Sequence, residues 1–181
     1  MKNNNIITID GPSASGKGSL AKALAKELDF ILLDSGLLYR AYSYCFEQSQ
    51  NHAIAKNLFS NLQIKSMDYQ MHVFESNEDI TSILRHENVA KSASILSGLK
   101  ETRDNLISFQ RDLASDHGLV ADGRDMGTVV FPDAGIKIFL VADAEVRAKR
   151  RFLELQNAGQ GLNMRDLIED IRLRDEADKA R

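Results

Sequence analysis

GPSASGKGS, residues 11–19, is the stretch whose reading decides the fold. The residues before it, Ile6 to Asp10, form a short β-branched run that stops at Gly11-Pro12 and reads as a buried strand. After it, Ser19 to Leu28 carries Leu20, Ala23, Leu24 and Leu28 at helical spacing. Gly11, Gly16 and Lys17 thus fit the spacing G-x-x-x-x-G-K between a strand and a helix. Glycines let the backbone turn so that successive N–H groups point inward at a phosphate, and the helix N-terminus adds its positive end. Lys17 supplies a mobile point charge for the terminal phosphates. Gly18 stands where many such loops carry Ser or Thr, and the hydroxyl comes one position later, at Ser19. The pattern G-x-G-x-x-G is absent, which disfavours a dinucleotide fold.

Further along the chain, Phe30 to Asp34, Leu119 to Ala121 and Lys137 to Val141 read as strands, and Leu37 to Glu47 as a helix with Ser35 at its N-cap. Strands alternating with helices predict an α/β fold with a parallel sheet covered on both faces. Ile64, Tyr69, Met71 and Val73 alternate with polar neighbours, and Ser76-Asn77 is a turn signal. A small antiparallel piece set into the core is therefore expected between Ile64 and Ile80. Glu87 to Arg111 reads as helical with an interruption near Gly98. From Val146 onward the chain is helical and charged, broken at Asn157–Gly161.

The whole chain is 181 residues, 43% hydrophobic and 27% charged, which suits one globular unit. A net charge of −3 argues against a general affinity for nucleic acid or anionic membrane. Cys45 is the only cysteine, so no intrachain disulfide can form and a reducing cytosol is expected. No run approaches the roughly 20 apolar residues of a membrane span, so a cytoplasmic protein is expected. Cys45 reads as a buried small hydrophobe, and Phe74, Phe109, Phe131 and Phe139 as core. His52, His72, His86 and His117 lack ligand spacing, so no zinc site is expected.

Asp122 stands at the C-terminal end of an apolar strand, the end at which open α/β sheets bind ligands. It is therefore the candidate to orient Mg²⁺ beside the loop, directly or through waters. A phosphate-transfer site must hold two anions against each other, which requires several cations in one cleft. Arg40, Arg103, Arg124, Arg150, Arg151, Arg174 and Arg181 are the candidates. Asp34-Ser35-Gly36 with Tyr39-Arg40, and Asp122-Gly123-Arg124-Asp125, gather such groups at strand ends. Arg174, Asp178 and Arg181 share one helix face, where spacing alone favours an i,i+4 ion-pair ladder.

GPSASGKGS, LLDSGLLYR (residues 32–40), VADGRDMGTVVFPDA (residues 120–134) and RDEADKAR (residues 174–181) together resemble bacterial cytidylate kinases. The similarity runs from Ile6 to Arg181 and is weakest over residues 48–80. The resemblance implies a P-loop kinase core over 1–34 and 101–146, and a monophosphate-binding insertion over 35–100 with a small antiparallel sheet. It also implies a helical lid over 147–165 and a returning core helix over 166–181. Family members continue with a further strand and helix that this sequence lacks, which would leave strand 137–141 at the sheet's edge.

The implied reaction is phosphoryl transfer from ATP, with Mg²⁺, to CMP or dCMP in a monomeric enzyme. Position by position, Gly11, Pro12, Ser13, Ala14, Ser15, Gly16, Lys17, Gly18 and Ser19 would bind ATP. Arg40 and Arg124 would hold the CMP phosphate, with Ser35 and Tyr39 lining its pocket. Ser94, Arg103, Asp125 and Arg181 would face the base, and Arg174 and Asp178 the ribose, Asp178 at the 2′-hydroxyl. Arg150 and Arg151 would close with the lid, and Lys17, Arg124, Arg150 and Arg151 would stabilise the moving phosphoryl group. A carboxylate such as Asp125 accepts from the cytosine N4 amino group and rejects the uracil carbonyl, so CMP is expected over UMP. A nucleotide-binding module without transfer activity, and a kinase for another small acceptor such as shikimate, are the competing readings.

Overall fold

The structure is a computed structural model that describes residues 3–114, 117–157, 159 and 163–179. In chain order the strands are β1 (Asn3–Asp10), β2 (Ile31–Asp34), β3 (Gln63–Met67), β4 (Gln70–Glu75), β5 (Glu78–Asp79), β6 (Leu119–Gly123) and β7 (Ala134–Phe139). The helices are α1 (Lys17–Leu28), α2 (Ser35–Ser49), α3 (His52–Ser60), α4 (Thr81–Leu84), α5 (Glu87–Ser97), α6 (Lys100–Asp112), α7 (Ala144–Asn157) and α8 (Met164–Lys179). A single π turn spans Met126–Val130.

The main sheet runs β2-β6-β1-β7 with every pairing parallel. Alternate side chains leave it on opposite faces, and both faces are filled. Ile6, Leu33, Leu119 and Ala121 join α2 residues Leu37, Leu38, Ala41 and Tyr42 in one core. Ile7, Ile9, Leu32 and Val120 meet Ala21 and Ala25 of α1 in the other. This period-two division explains why the strands read as unbroken apolar runs. Cys45 is buried in the first core, and burial pushes its thiol up to about 12.

The second sheet, β3-β4-β5, is antiparallel. Both of its reversals use left-handed residue pairs, Asp68-Tyr69 at φ 50° and 56° and Ser76-Asn77 at φ 50° and 71°. Two consecutive positive φ values match the right-handed twist of the flanking strands. The small sheet abuts the end of β2, where the Asp34 backbone N–H donates to Met71 Sδ at 2.9 Å. Helices α7 and α8 pack on a core of their own made of Ala148, Leu155, Leu167 and Ile171.

Several expectations need correction. Strand β7 occupies Ala134–Phe139 rather than residues 137–141, though it does form one edge of the sheet. Phe139 on that strand is 68% exposed and not part of the core. The N-cap of α2 is Asp34, whose Oδ1 accepts from Leu37 N at 3.0 Å, and Ser35 is the first helical residue. Helix α3 lies in a region that had no assigned element. The helix break at Gly98 is present, between α5 and α6. Most of the break expected at Asn157–Gly161, and Arg181 entirely, lie outside the described residues.

Candidate active site

Three strands of the sheet carry an aspartate at or next to their C-terminal end, and the structure uses each differently. Asp10 of β1 is buried and accepts from Met126 N and Gly127 N, both at 2.8 Å, which shapes the π turn after β6. Asp34 of β2 caps α2 and faces Arg85 Nη2 at 3.6 Å. Asp122 of β6 points at the phosphate loop, with Lys17 Nζ 3.9 Å from its Oδ1. Burial pushes the Asp122 carboxyl up to about 7 against the pull of Lys17. Lys17 is held down to about 8, first by burial and then by the nearby Arg124 guanidinium. The two groups therefore titrate as a pair around neutrality.

The loop itself is tightly constrained. Gly11 has φ +146°, and a Cβ there would lie 2.2 Å from the Leu140 carbonyl oxygen. Gly16, at φ +98°, caps the start of α1 in the left-handed region. Lys17 Nζ donates to the Pro12 carbonyl at 2.9 Å, so its side chain curls back over the loop. The Ser15 hydroxyl is buried with no hydrogen-bond partner among the described residues, a polar atom in the loop that still has a bond to make. Helix α7 holds the loop from outside: Arg150 Nη1 donates to Ser15 O at 3.0 Å and Arg147 Nη1 to Ser13 O at 3.2 Å. Arg147 is almost fully buried, pairs with Asp175 of α8, and was not singled out from the sequence.

Across from the loop, guanidinium groups line the same hollow, a cavity of about 510 Å³. It brings together residues 13–19 with Ser35, Tyr39, Arg40, Ser94, Asp122, Arg124, Asp125, Arg151, Arg174 and Asp178. Arg40 Nη1 donates to Leu84 O at 3.1 Å, and its guanidinium is pushed down to about 10 by burial and then by neighbouring Arg151. Arg124 bridges the two sides, with Nε on Asp178 at 2.6 Å and Nη1 on the Gly11 carbonyl at 3.1 Å. Arg174 donates to Glu87 Oε1 at 2.5 Å. Arg174 and Asp178 thus pair with Glu87 and Arg124, where spacing alone favoured a ladder along α8.

Some expected residues do not line the hollow. Gly11 and Pro12 form the base of the loop behind it. Arg150 grips the outside of the loop. Arg103 Nη1 donates to Ser97 O at 2.9 Å and to Gly98 O at 2.7 Å, closing the end of α5 next to the cavity residue Ser97. Sequence reasoning missed the lining residues Arg85, Gln70, Met71 and Glu154, and Glu87 behind the wall. Arg85 and Glu87 flank a helix start at His86, yet nothing local says which way they face.

Among the described residues, no group of three or more His, Cys, Asp or Glu is set to hold a metal alone. A Mg²⁺ ion, however, typically uses one or two carboxylates alongside substrate phosphates and waters. Asp122 next to the phosphate loop fits that chemistry. No helix among the described residues is long and apolar enough to cross a membrane.

The family model described as cytidylate kinase matches residues 7–181. A protein named cytidylate kinase from Pseudomonas putida is 42% identical, over 97% of this chain and 81% of its own length. The corresponding values for a cytidylate kinase from Pseudomonas fluorescens are 44%, 97% and 80%, and for one from Mannheimia succiniciproducens 43%, 100% and 83%. With a phosphate loop and a wall of arginines facing one hollow, and a family match over almost its full length, this chain belongs to the cytidylate kinase family.

Proposed function

We propose that this chain transfers the γ-phosphoryl group of ATP to CMP or dCMP, giving ADP and CDP or dCDP, in cytoplasmic pyrimidine nucleotide metabolism. The observation that carries this is the single hollow walled on one side by the loop of residues 13–19 and on the other by Arg40, Arg124, Arg151 and Arg174. Two polyanions can meet there head-on.

The loop amides and Lys17 would receive the ATP phosphates, and the Ser15 hydroxyl, unpartnered among the described residues, would gain a partner as they enter. The negative phosphates raise the pKa of Lys17, so its charge is secured on binding. Asp122 would hold Mg²⁺ beside the nucleotide, which neutralises phosphate charge when bound. Arg40 and Arg124, with Ser35 and Tyr39 near them, would hold the acceptor phosphate. Arg124 is well placed because it touches the loop at Gly11 and Asp178 at once. Ser94 and Asp125 would face the cytosine, with Arg103 supporting the adjacent end of α5. Arg174 and Asp178 would flank the ribose.

Phosphoryl transfer leaves the protein little covalent work, so no general base is assigned. Positioning and charge neutralisation carry the rate. Opposite the loop, α2 supplies Tyr39 and Arg40, α5 supplies Ser94, and α7 and α8 supply Arg151, Arg174 and Asp178, with Arg147 and Arg150 tying α7 to the loop. The active unit in this reading is a monomer. A coupled assay with ATP, Mg²⁺ and each nucleoside monophosphate tests the reading. CMP and dCMP should turn over fastest, and faster turnover of UMP or AMP would overturn the specificity.

A further inference from the structure

We propose that Glu87 is the positioning residue that presets Arg151 for the moving phosphoryl group and Arg174 for the acceptor's ribose, acting from behind the cavity wall. The proposal rests on the cytidylate kinase reading above. Glu87 opens α5 and is 5% exposed, and it does not line the hollow. Its Oε2 accepts from Arg151 Nη2 at 2.5 Å and its Oε1 from Arg174 Nη2 at 2.5 Å. One carboxylate thus fixes one guanidinium from α7 and one from α8, each through a separate oxygen, and both arginines line the cavity. Arg151 is also held at Nη1 by Glu154, at 3.2 Å.

The physical need is plain. Arg151 lies close enough to Arg40 to disfavour its charged form, while Glu87 favours it. Without a local counter-charge, these guanidiniums would repel one another in a poorly solvated wall before any anion arrived. Burial raises the Glu87 carboxyl, but the Arg151 hydrogen bond and the two guanidiniums outweigh it and leave the group below its ordinary value. Glu87 therefore stays ionised across the neutral range. Donors fixed in advance need no reorganisation when charge develops on the moving phosphoryl group. A neighbouring pair gives an internal control: Lys91 Nζ of α5 meets Asp170 Oδ2 of α8 at 2.8 Å, tying α5 to α8 with no ion pair from Asp170 to Arg151 or Arg174.

The experiment compares steady-state kinetics of wild type, Glu87→Gln, Glu87→Asp and Asp170→Asn, each checked for folding by thermal melting. Wild-type turnover of CMP comes first, since its absence would refute the kinase reading rather than the role of Glu87. Glu87→Gln should lower kcat about 10- to 100-fold while changing KM for CMP less than about fivefold. Glu87→Asp should recover at least about threefold of that loss, and Asp170→Asn should stay within about twofold of wild type. In an Arg151→Met background the Glu87→Asp change should be at least about threefold milder than in wild type. That last pair also decides the matter if Glu87→Gln does not fold. Normal kcat in Glu87→Gln, an equal loss in Asp170→Asn, or fully additive Glu87 and Arg151 losses would overturn the proposal.

Discussion

Replacing Asp178 with asparagine should separate two jobs that the structure gives one side chain. Its Oδ2 accepts from Arg124 Nε at 2.6 Å, with the two side chains only 19% and 30% exposed. The same residue is proposed to face the ribose 2′-hydroxyl. A hydrogen bond to a charged group contributes about 1.5–3 kcal/mol, which corresponds to roughly 10- to 150-fold in kcat/KM. Arg124 keeps its contact to the Gly11 carbonyl at 3.1 Å, so it is loosened rather than lost, and the lower half of that range applies. Loss of the Arg124 contact should fall equally on CMP and dCMP, at about 10- to 30-fold. Loss of the ribose contact should fall on CMP alone, adding about another tenfold. Kinetics with both acceptors at saturating ATP would read the two losses apart. Equal losses for CMP and dCMP would remove Asp178 from the ribose. An unchanged dCMP rate would show that the Arg124–Asp178 pair does not serve catalysis.

Other outcomes follow from the same geometry. Because burial pushes Asp122 up to about 7 and Lys17 down to about 8 and the two titrate as a pair, kcat/KM for ATP should rise through about pH 7 and fall above about pH 8. Asp122→Asn should remove the acid limb of that pH profile, and a persisting acid limb would assign it to another group. Lys17→Ala should nearly abolish transfer while CMP binding, measured by calorimetry, stays largely intact; parallel losses would contradict its place on the ATP side. Gly11→Ala forces a Cβ against Leu140 O, nominally at 2.2 Å, so the loop must move by about 1 Å and activity should drop about 100-fold, whereas a fully active variant would refute the constraint. Asp10→Asn leaves one of two buried backbone N–H groups facing an amide donor and should lower stability by about 1–3 kcal/mol in a denaturant titration.

The sequence disclosed best whatever its neighbours in the chain decide. The phosphate loop, the strand before it and the turn at Ser76-Asn77 each depend on glycines, asparagine or a short apolar run within a few residues. Contacts across the fold were hidden. The π turn at Met126–Val130 depends on Asp10, more than a hundred residues earlier. Glu87 reads locally as a helix-start acid, and its partners Arg151 and Arg174 lie 64 and 87 residues away. The choice of Asp34 over Ser35 as cap is set by where β2 leaves its pairing with β6, since both residue types cap well. Helix α3 carried a readable signal in Asn51, whose side chain accepts from Ala53 N and Ile54 N. Arginine-rich segments identified the cationic wall, but only the fold separated Arg124 and Arg151 in the hollow from Arg150 behind the loop.

The central claim is that two nucleotides share one hollow with their phosphates toward each other. A single molecule carrying cytidine and adenosine joined through a chain of phosphates tests it most directly, by isothermal titration calorimetry in the presence of Mg²⁺. One molecule should bind per chain, more tightly than either nucleotide, and both ATP and CMP should displace it. Displacement by only one of them, or two independent binding events per chain, would contradict the claim.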